Sequence, residues 1–147
     1  MRRAADMTPQ ELAEASADAM WAADRASQHL GMVIEHIAPG AARLRMEVTR
    51  TMTNGHDNGH GGYIFTLADS AFAFACNSYN AVTVGQQASI TYLAPARLGD
   101  HLTADAREVS RAGRSGVYDV EVTNQHGTRI ALFRGMSRTV RGSYVPD

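Results

Sequence analysis

Between Asn58 and Ala96 only one side chain carries a formal charge, Asp69. Within that window, residues 62–78 run at helical length and are apolar on nearly every face. A helix without a polar face is stable only when other elements cover it. The rest of the chain must therefore wrap it. The most apolar part, residues 62–76, falls short of the ~20 residues that span a bilayer. Asp69 near its middle would also cost about 2.5–3.5 kcal/mol on insertion. The sequence predicts a buried helix, not a membrane span.

What does the wrapping is read from the flanks. Thr8-Pro9-Gln10-Glu11 has the form of a capping box with proline at the first helical position. It predicts a helix over residues 8–30, ended by Gly31. Residues 32–37 read as a strand and Pro39-Gly40 as a turn. In residues 42–49, Ala42, Leu44, Met46 and Val48 alternate with Arg43, Arg45, Glu47 and Thr49, the period of a half-buried strand. Residues 51–61 form a loop rich in Asn-Gly and Gly-Gly pairs. After the apolar helix come four strand-like segments, 82–93, 101–110, 116–123 and 128–141, joined by short polar turns that imply antiparallel pairing. The fold class is α+β: one curved antiparallel sheet around one long central helix, with an additional N-terminal helix. At 147 residues, with no repeat or linker, residues 1–147 form a single domain, of which 1–30 are a helical extension.

Composition removes several classes of function. Fourteen basic against 15 acidic residues leave a formal charge of −1, which gives no electrostatic case for nucleic acid or an anionic membrane. Every basic residue is Arg, so Schiff-base and Walker-lysine chemistry are excluded. The single cysteine, Cys76, cannot form an internal disulfide or supply a cysteine-based metal site, and it reads as a small buried residue. Met1-Arg2-Arg3-Ala4 lacks the apolar run of a secretory signal. These features predict a cytoplasmic protein.

Two features carry chemistry. A carboxylate on a buried helix is costly unless paired or hydrogen-bonded, and no cation near Asp69 in sequence can pair with it. Asp69 is either an anchor bonded to a loop or a general base or nucleophile, and the second reading is preferred because Asn, Ser or Ala would serve stability better. The other feature is His60-Gly61-Gly62 at the start of the same helix. The first amides of a helix lack intrahelical acceptors and sit at the positive end of its dipole, and glycine allows a carbonyl to approach closely. Alone this is an ordinary glycine-rich loop. With Asp69 eight residues on, it is half of an acyl-transfer site. His56, Asp57 and His60 do not suggest a metal, because the glycines between them leave no helix to align ligands. Tyr63, Phe65, Phe72 and Phe74 read mainly as core or interface, with at most one or two lining a pocket.

The blocks Asn54-Gly55-His56-x-x-x-His60-Gly61-Gly62 and Leu67-Ala68-Asp69-Ser70-Ala71-Phe72-Ala73 resemble the hot-dog-fold acyl-CoA thioesterases. Ala75-Cys76-Asn77-Ser78, Gly116-Val117-Tyr118-Asp119 and Ala131-Leu132-Phe133-Arg134-Gly135 extend the likeness to the PaaI type, over roughly residues 31–142. The resemblance implies hydrolysis of aryl-acyl-CoA thioesters such as phenylacetyl-CoA and its ring-hydroxylated derivatives, without metal or cofactor. It implies that Asp69 is the catalytic carboxylate and the Gly61 amide the carbonyl-polarising donor. Asn54 would orient water or thioester, and His60 would stand beside the oxyanion glycine. Gly62, Ser70, Phe72, Gln87 and Ser89 are the substrate-contact candidates. Some relatives hold the attacking water with a serine on the strand after the helix; here that stretch reads Gly85-Gln86-Gln87-Ala88-Ser89, and no residue is assigned that role.

Helix geometry adds a constraint of its own. Eight residues at 1.5 Å each put Gly61 and Asp69 about 12 Å apart along one helix, whereas a base must lie within about 3 Å, or one water, of its target. One chain cannot serve one thioester with both groups. A two-fold dimer with antiparallel central helices can, and it gives two equivalent sites. The resemblance agrees with a homodimer and implies a homotetramer. Two other readings stand beside the thioesterase: an enoyl-CoA hydratase or dehydratase with His60 as acid/base partner of Asp69, and a non-catalytic acyl-CoA-binding protein. Asp57-Asn58-Gly59-His60 partly resembles the loop of acyl-CoA hydratases. Asp69 argues against simple binding, which needs no buried carboxylate.

Overall fold

A computed structural model describes residues 2–147. Its helices are α1 (Pro9–Ala23), α2 (Arg25–His29) and α3 (Gly61–Cys76); its strands are β1 (Val33–Ala38), β2 (Ala41–Glu47), β3 (Thr83–Tyr92), β4 (His101–Ala112), β5 (Ser115–Thr123) and β6 (Arg129–Thr139). The strands form one antiparallel sheet in the order β1-β2-β4-β5-β6-β3. Every expected strand is present, with ends displaced by a residue or two. This is the hot-dog arrangement, a sheet curled around α3.

The core forms where the sheet's inward alternation meets the helix. Leu44, Met46, Leu102, Tyr118, Val120, Val122 and Phe133 point in, and Leu67, Ala68, Ala71, Phe72, Phe74 and Ala75 meet them. Burying each large apolar side chain is worth about 1.5–3 kcal/mol. Small residues on α3 let the sheet close in: Phe72 packs against Tyr118 and Phe133 at 5.7 and 5.8 Å between ring centroids. Gly135 makes room for that ring, since a Cβ there would lie 2.8 Å from it.

Two expectations need correction. The N-terminal helix is not continuous. It opens on the expected capping box at Thr8 but breaks at Asp24, which ends α1 and caps α2 by accepting from the Ser27 amide at 3.0 Å. A short carboxylate bonding to nearby backbone competes with helix propagation, and here it wins. The central helix is also not covered all round in the single chain. Gly62 and Asp69 are exposed, and Thr66 and Ala73 are half-buried. These four follow one another at helical spacing, so α3 keeps one open stripe beside β3. The outer edge of β3 pairs with no other strand among the described residues.

Candidate active site

The structure places the two principal candidates, Asp69 and Gly61, in separate grooves. Asp69 lies in a groove of about 330 Å³ with Phe72, Ala73, Thr83, Gly85, Gln86, Gln87 and Ala88. Gly61 lies in another of about 510 Å³ with Gly59, Ile64, Tyr92, Leu93, Ala94, Pro95 and Ala96. The two share no residue. Gly61 and Asp69 belong to one unbroken helix, so the ~12 Å between them from helix rise stands.

Around Gly61 the amides are accounted for one by one. His60 is the N-cap of α3 and its Nδ1 accepts from the Gly62 amide at 3.0 Å. The Tyr63 amide donates to the His60 carbonyl at 3.0 Å. The Gly61 amide has no acceptor among the described residues. It is the donor left over for a ligand, at the positive end of the dipole. The candidate roles therefore divide: Gly62 is committed to the cap and His60 is its acceptor. Asn54 is committed too, its Oδ1 accepting from the His56 and Asn58 amides at 2.9 and 3.3 Å. Only its Nδ2 is left, so toward a substrate Asn54 can act solely as a donor.

Tyr92 is a further residue at this end of α3, with no local signal to mark it. Its hydroxyl donates to the Gly61 carbonyl at 2.8 Å. A Cβ on Gly61 would come within 2.9 Å of its ring, so glycine is needed for close approach. Tyr92→Phe keeps that ring and loses one exposed hydrogen bond, so kcat/KM should fall by less than about tenfold. Gly61→Ala must displace the ring as well and should lose more. Equal turnover by Gly61→Ala and wild type would show that the close fit has no catalytic consequence.

Around Asp69 the setting differs from expectation. The carboxylate is exposed in the single chain, not buried, because β3 leaves the stripe of α3 open. Loss of surrounding water still raises its pKa above the usual carboxylate value, and no hydrogen bond or cation offsets this. A raised carboxylate in a groove is suited to proton transfer. Gln87 shares the groove, placed there by a bulge between Gly85 and Gln87 in the pairing of β3 with β6. Phe72 contributes only part of its ring to the wall, being 1% exposed.

Two substrate-contact candidates sit elsewhere. Ser89 pairs with Arg134 in the ladder. It lines a depression of about 410 Å³ with Arg107, Asp119 and Leu132, a hollow that includes neither Asp69 nor Gly61. Ser70 faces α2, where its hydroxyl meets that of Ser27 at 2.8 Å. Because the Ser27 hydroxyl donates to Asp24 at 2.7 Å, Ser70 is the donor to Ser27. It anchors the N-terminal segment to α3 one residue from Asp69.

Cys76 is buried, and its thiol is pushed up to about 12 by desolvation, so it is no nucleophile. Among the described residues, no three His, Cys, Asp or Glu side chains converge as metal ligands. No helix there is long and apolar enough to cross a membrane.

A hot-dog fold with an unbonded helix-terminal amide and, on the same helix, a carboxylate of raised pKa suits acyl transfer. Comparison with known proteins agrees. Residues 56–131 match the thioesterase superfamily. The chain is 42% identical to the acyl-coenzyme A thioesterase PaaI of Escherichia coli, over 90% of this chain and 94% of that protein. The structure of the E. coli PaaI protein of the phenylacetic acid degradation operon superposes with a TM-score of 0.91 at 40% identity, covering 92% of this chain and 99% of that one. A Streptococcus mutans structure bound to acetyl CoA gives 0.73 at 32% identity, over 76% and 90%. The chain belongs to the thioesterase superfamily and, within it, to the PaaI type of acyl-CoA thioesterase.

Proposed function

We propose that the protein hydrolyses aryl-acyl-CoA thioesters, phenylacetyl-CoA and its ring-hydroxylated derivatives foremost, in aromatic catabolism, at a site shared between two chains. One observation carries the shared site: the unbonded Gly61 amide and Asp69 lie in separate grooves at stations ~12 Å apart on one helix. A two-fold axis beside β3 with antiparallel α3 helices sets the Asp69 groove of one chain against the Gly61 groove of the other. The free edge of β3 supports this, as do Val84, Tyr92 and Leu93 along it, each about half exposed. Two such dimers would pair as a tetramer. The aryl preference rests on the likeness to the E. coli protein of the phenylacetic acid degradation operon.

In that site the thioester carbonyl accepts from the Gly61 amide and becomes an oxyanion as it is attacked. A donor of this kind is worth about 2.7–4 kcal/mol, or 10²–10³ in rate. Asp69 of the partner chain takes a proton from water or attacks the carbonyl itself. In either course the carbon–sulfur bond breaks, CoA leaves as the thiol, and water supplies the new carboxylate oxygen. The Asn54 amide group serves as a second donor to the water or the thioester. The hydratase reading is weaker, because Nδ1 of His60 is engaged by the Gly62 amide.

Thiol release from phenylacetyl-, hexanoyl- and palmitoyl-CoA tests the substrate class. The expected order of kcat/KM puts phenylacetyl-CoA first. A preference for a straight chain would remove the aryl assignment and leave the thioesterase standing.

A further inference from the structure

The loop before α3 carries one tripeptide twice, Asn54-Gly55-His56 and Asn58-Gly59-His60. Asparagine followed by glycine is the pair most open to deamidation, in which the glycine amide nitrogen attacks the asparagine side-chain carbon. Glycine has no Cβ to obstruct the backbone rotation that closes the ring. By local sequence the two copies are equally reactive, and the structure separates them. At the second copy the Gly59 amide donates to the Ala96 carbonyl at 2.6 Å, so that nitrogen is engaged. Asn58 bridges to Arg97 and Gly59 to Thr53, which clamps the backbone on both sides. The Asn58 Oδ1 is buried without a donor among the described residues, so negative charge forming on it during attack would be unsolvated.

At the first copy each condition is reversed. The Gly55 amide has no acceptor among the described residues, and Gly55 is exposed. Nothing lies within 4 Å of the place a Cβ would take, so the backbone there has room to rotate. The Asn54 Oδ1 accepts from the His56 and Asn58 amides. These two donors draw electrons from the side-chain carbon and would stabilise an oxyanion formed on it. The Asp57 amide donates to the Asn54 carbonyl at 3.1 Å and closes a turn around Gly55 and His56. Bonded at both residues 56 and 58, the Asn54 side chain stays folded over the turn that contains the attacking nitrogen.

We propose that Asn54 is a site of spontaneous modification, converting to aspartate and isoaspartate in the native protein while Asn58 is spared. The Gly55 nitrogen bonds to the Asn54 Cγ, the Cγ–Nδ2 bond breaks, and ammonia leaves carrying the Gly55 amide proton. Water then opens the cyclic imide at either carbonyl, giving aspartate or its β-linked isomer. Water is consumed, ammonia is released, and no electrons are exchanged. The reaction adds a negative charge to a chain whose formal charge is −1. It also removes Nδ2, the only donor Asn54 has left for a substrate. That consequence for turnover rests on the thioesterase reading, in which Asn54 donates to water or thioester; the modification itself does not.

The full-length protein is aged at mildly alkaline pH, native and in guanidinium chloride, and conversion is read as a mass gain of about 1 Da per site. Fragmentation between residues 54 and 58 assigns the position. In denaturant both asparagines should convert at similar rates. In the native protein Asn54 should convert within about threefold of its denatured rate, and Asn58 at least about tenfold more slowly than its own. Gly55→Ala fits, since φ there lies outside the left-handed region and a Cβ meets nothing, and it should slow conversion of Asn54 by about tenfold. Fresh Gly55→Ala should match wild type in thiol release from phenylacetyl-CoA and keep that activity on ageing. Wild type should decline in proportion to the Asn54 converted, and Asn54→Asp made directly should lose about tenfold in kcat/KM. Native Asn58 converting as fast as Asn54, or native Asn54 as protected as Asn58, overturns the proposal. Conversion at Asn54 with turnover unchanged keeps the site and removes the donor role of Asn54. If fresh protein hydrolyses no thioester, the thioesterase reading fails and the mass measurement alone decides the site.

Discussion

Asp69→Asn is expected to fold normally and to lose thioester turnover by about 10²–10⁴-fold, the range for removing a positioned acid–base group. Asn keeps the volume and hydrogen-bonding capacity of Asp, and Asp69 has no ion pair or hydrogen bond to forfeit. Its removal should not weaken the fold. The pKa of Asp69 is raised in the native protein, so between its unfolded and folded values the native state binds more protons than the unfolded one. Stability contributed by this group is complete below the unfolded value and is lost as pH rises through the folded one. The Asn variant should therefore match wild type in strong acid and be at least as stable at neutral pH. Loss of activity with stability kept or gained marks a catalytic group. A variant with more than a tenth of wild-type turnover would make Asp69 structural. The pH profile adds a check: kcat/KM should fall on the acid side at an apparent pKa above the usual carboxylate value, and that limb should be absent in the residual activity of the Asn variant.

The fold was largely legible because its signals are local. Leu44 and Met46 alternating with Arg43 and Arg45 fix the faces of β2 within eight residues. Thr8 to Glu11 announces α1 in four. Asp24 was not legible as a break, since an acidic residue on an amphipathic helix looks solvated until its bond to the Ser27 amide is seen. The open stripe of α3 was written in the sequence as Gly62, Thr66, Asp69 and Ala73, small or polar at helical spacing, but the apolar average masked it. At the candidate site, Gly61 and Asp69 were singled out by residue type and spacing alone. Tyr92 was not, because it reaches Gly61 across 31 residues of chain. The partnership of Ser70 with Ser27 spans 43. Contacts of that separation depend on where β3 and α2 dock, which no local pattern records.

The central claim is that each thioester is served by two chains, and mixed dimers test it most directly. Asp69→Ala removes the base from one chain. Gly61→Pro removes the amide donor from another, since proline has no N–H; that variant is first checked for folding and for dimer formation. Each alone should be nearly inactive. In a dimer containing one of each, one site carries both defects and the other carries neither. Random reassortment makes about half the dimers mixed, each with one intact site of two, so activity should recover towards a quarter of wild type. Co-expression with two tags and isolation of the doubly tagged dimer raises the expected value to about half per dimer. Activity at that level establishes the shared site. Verified mixed dimers of folded chains that stay as inactive as their parents would contradict it, and would require Gly61 and Asp69 of one chain to act on the same thioester across ~12 Å of helix.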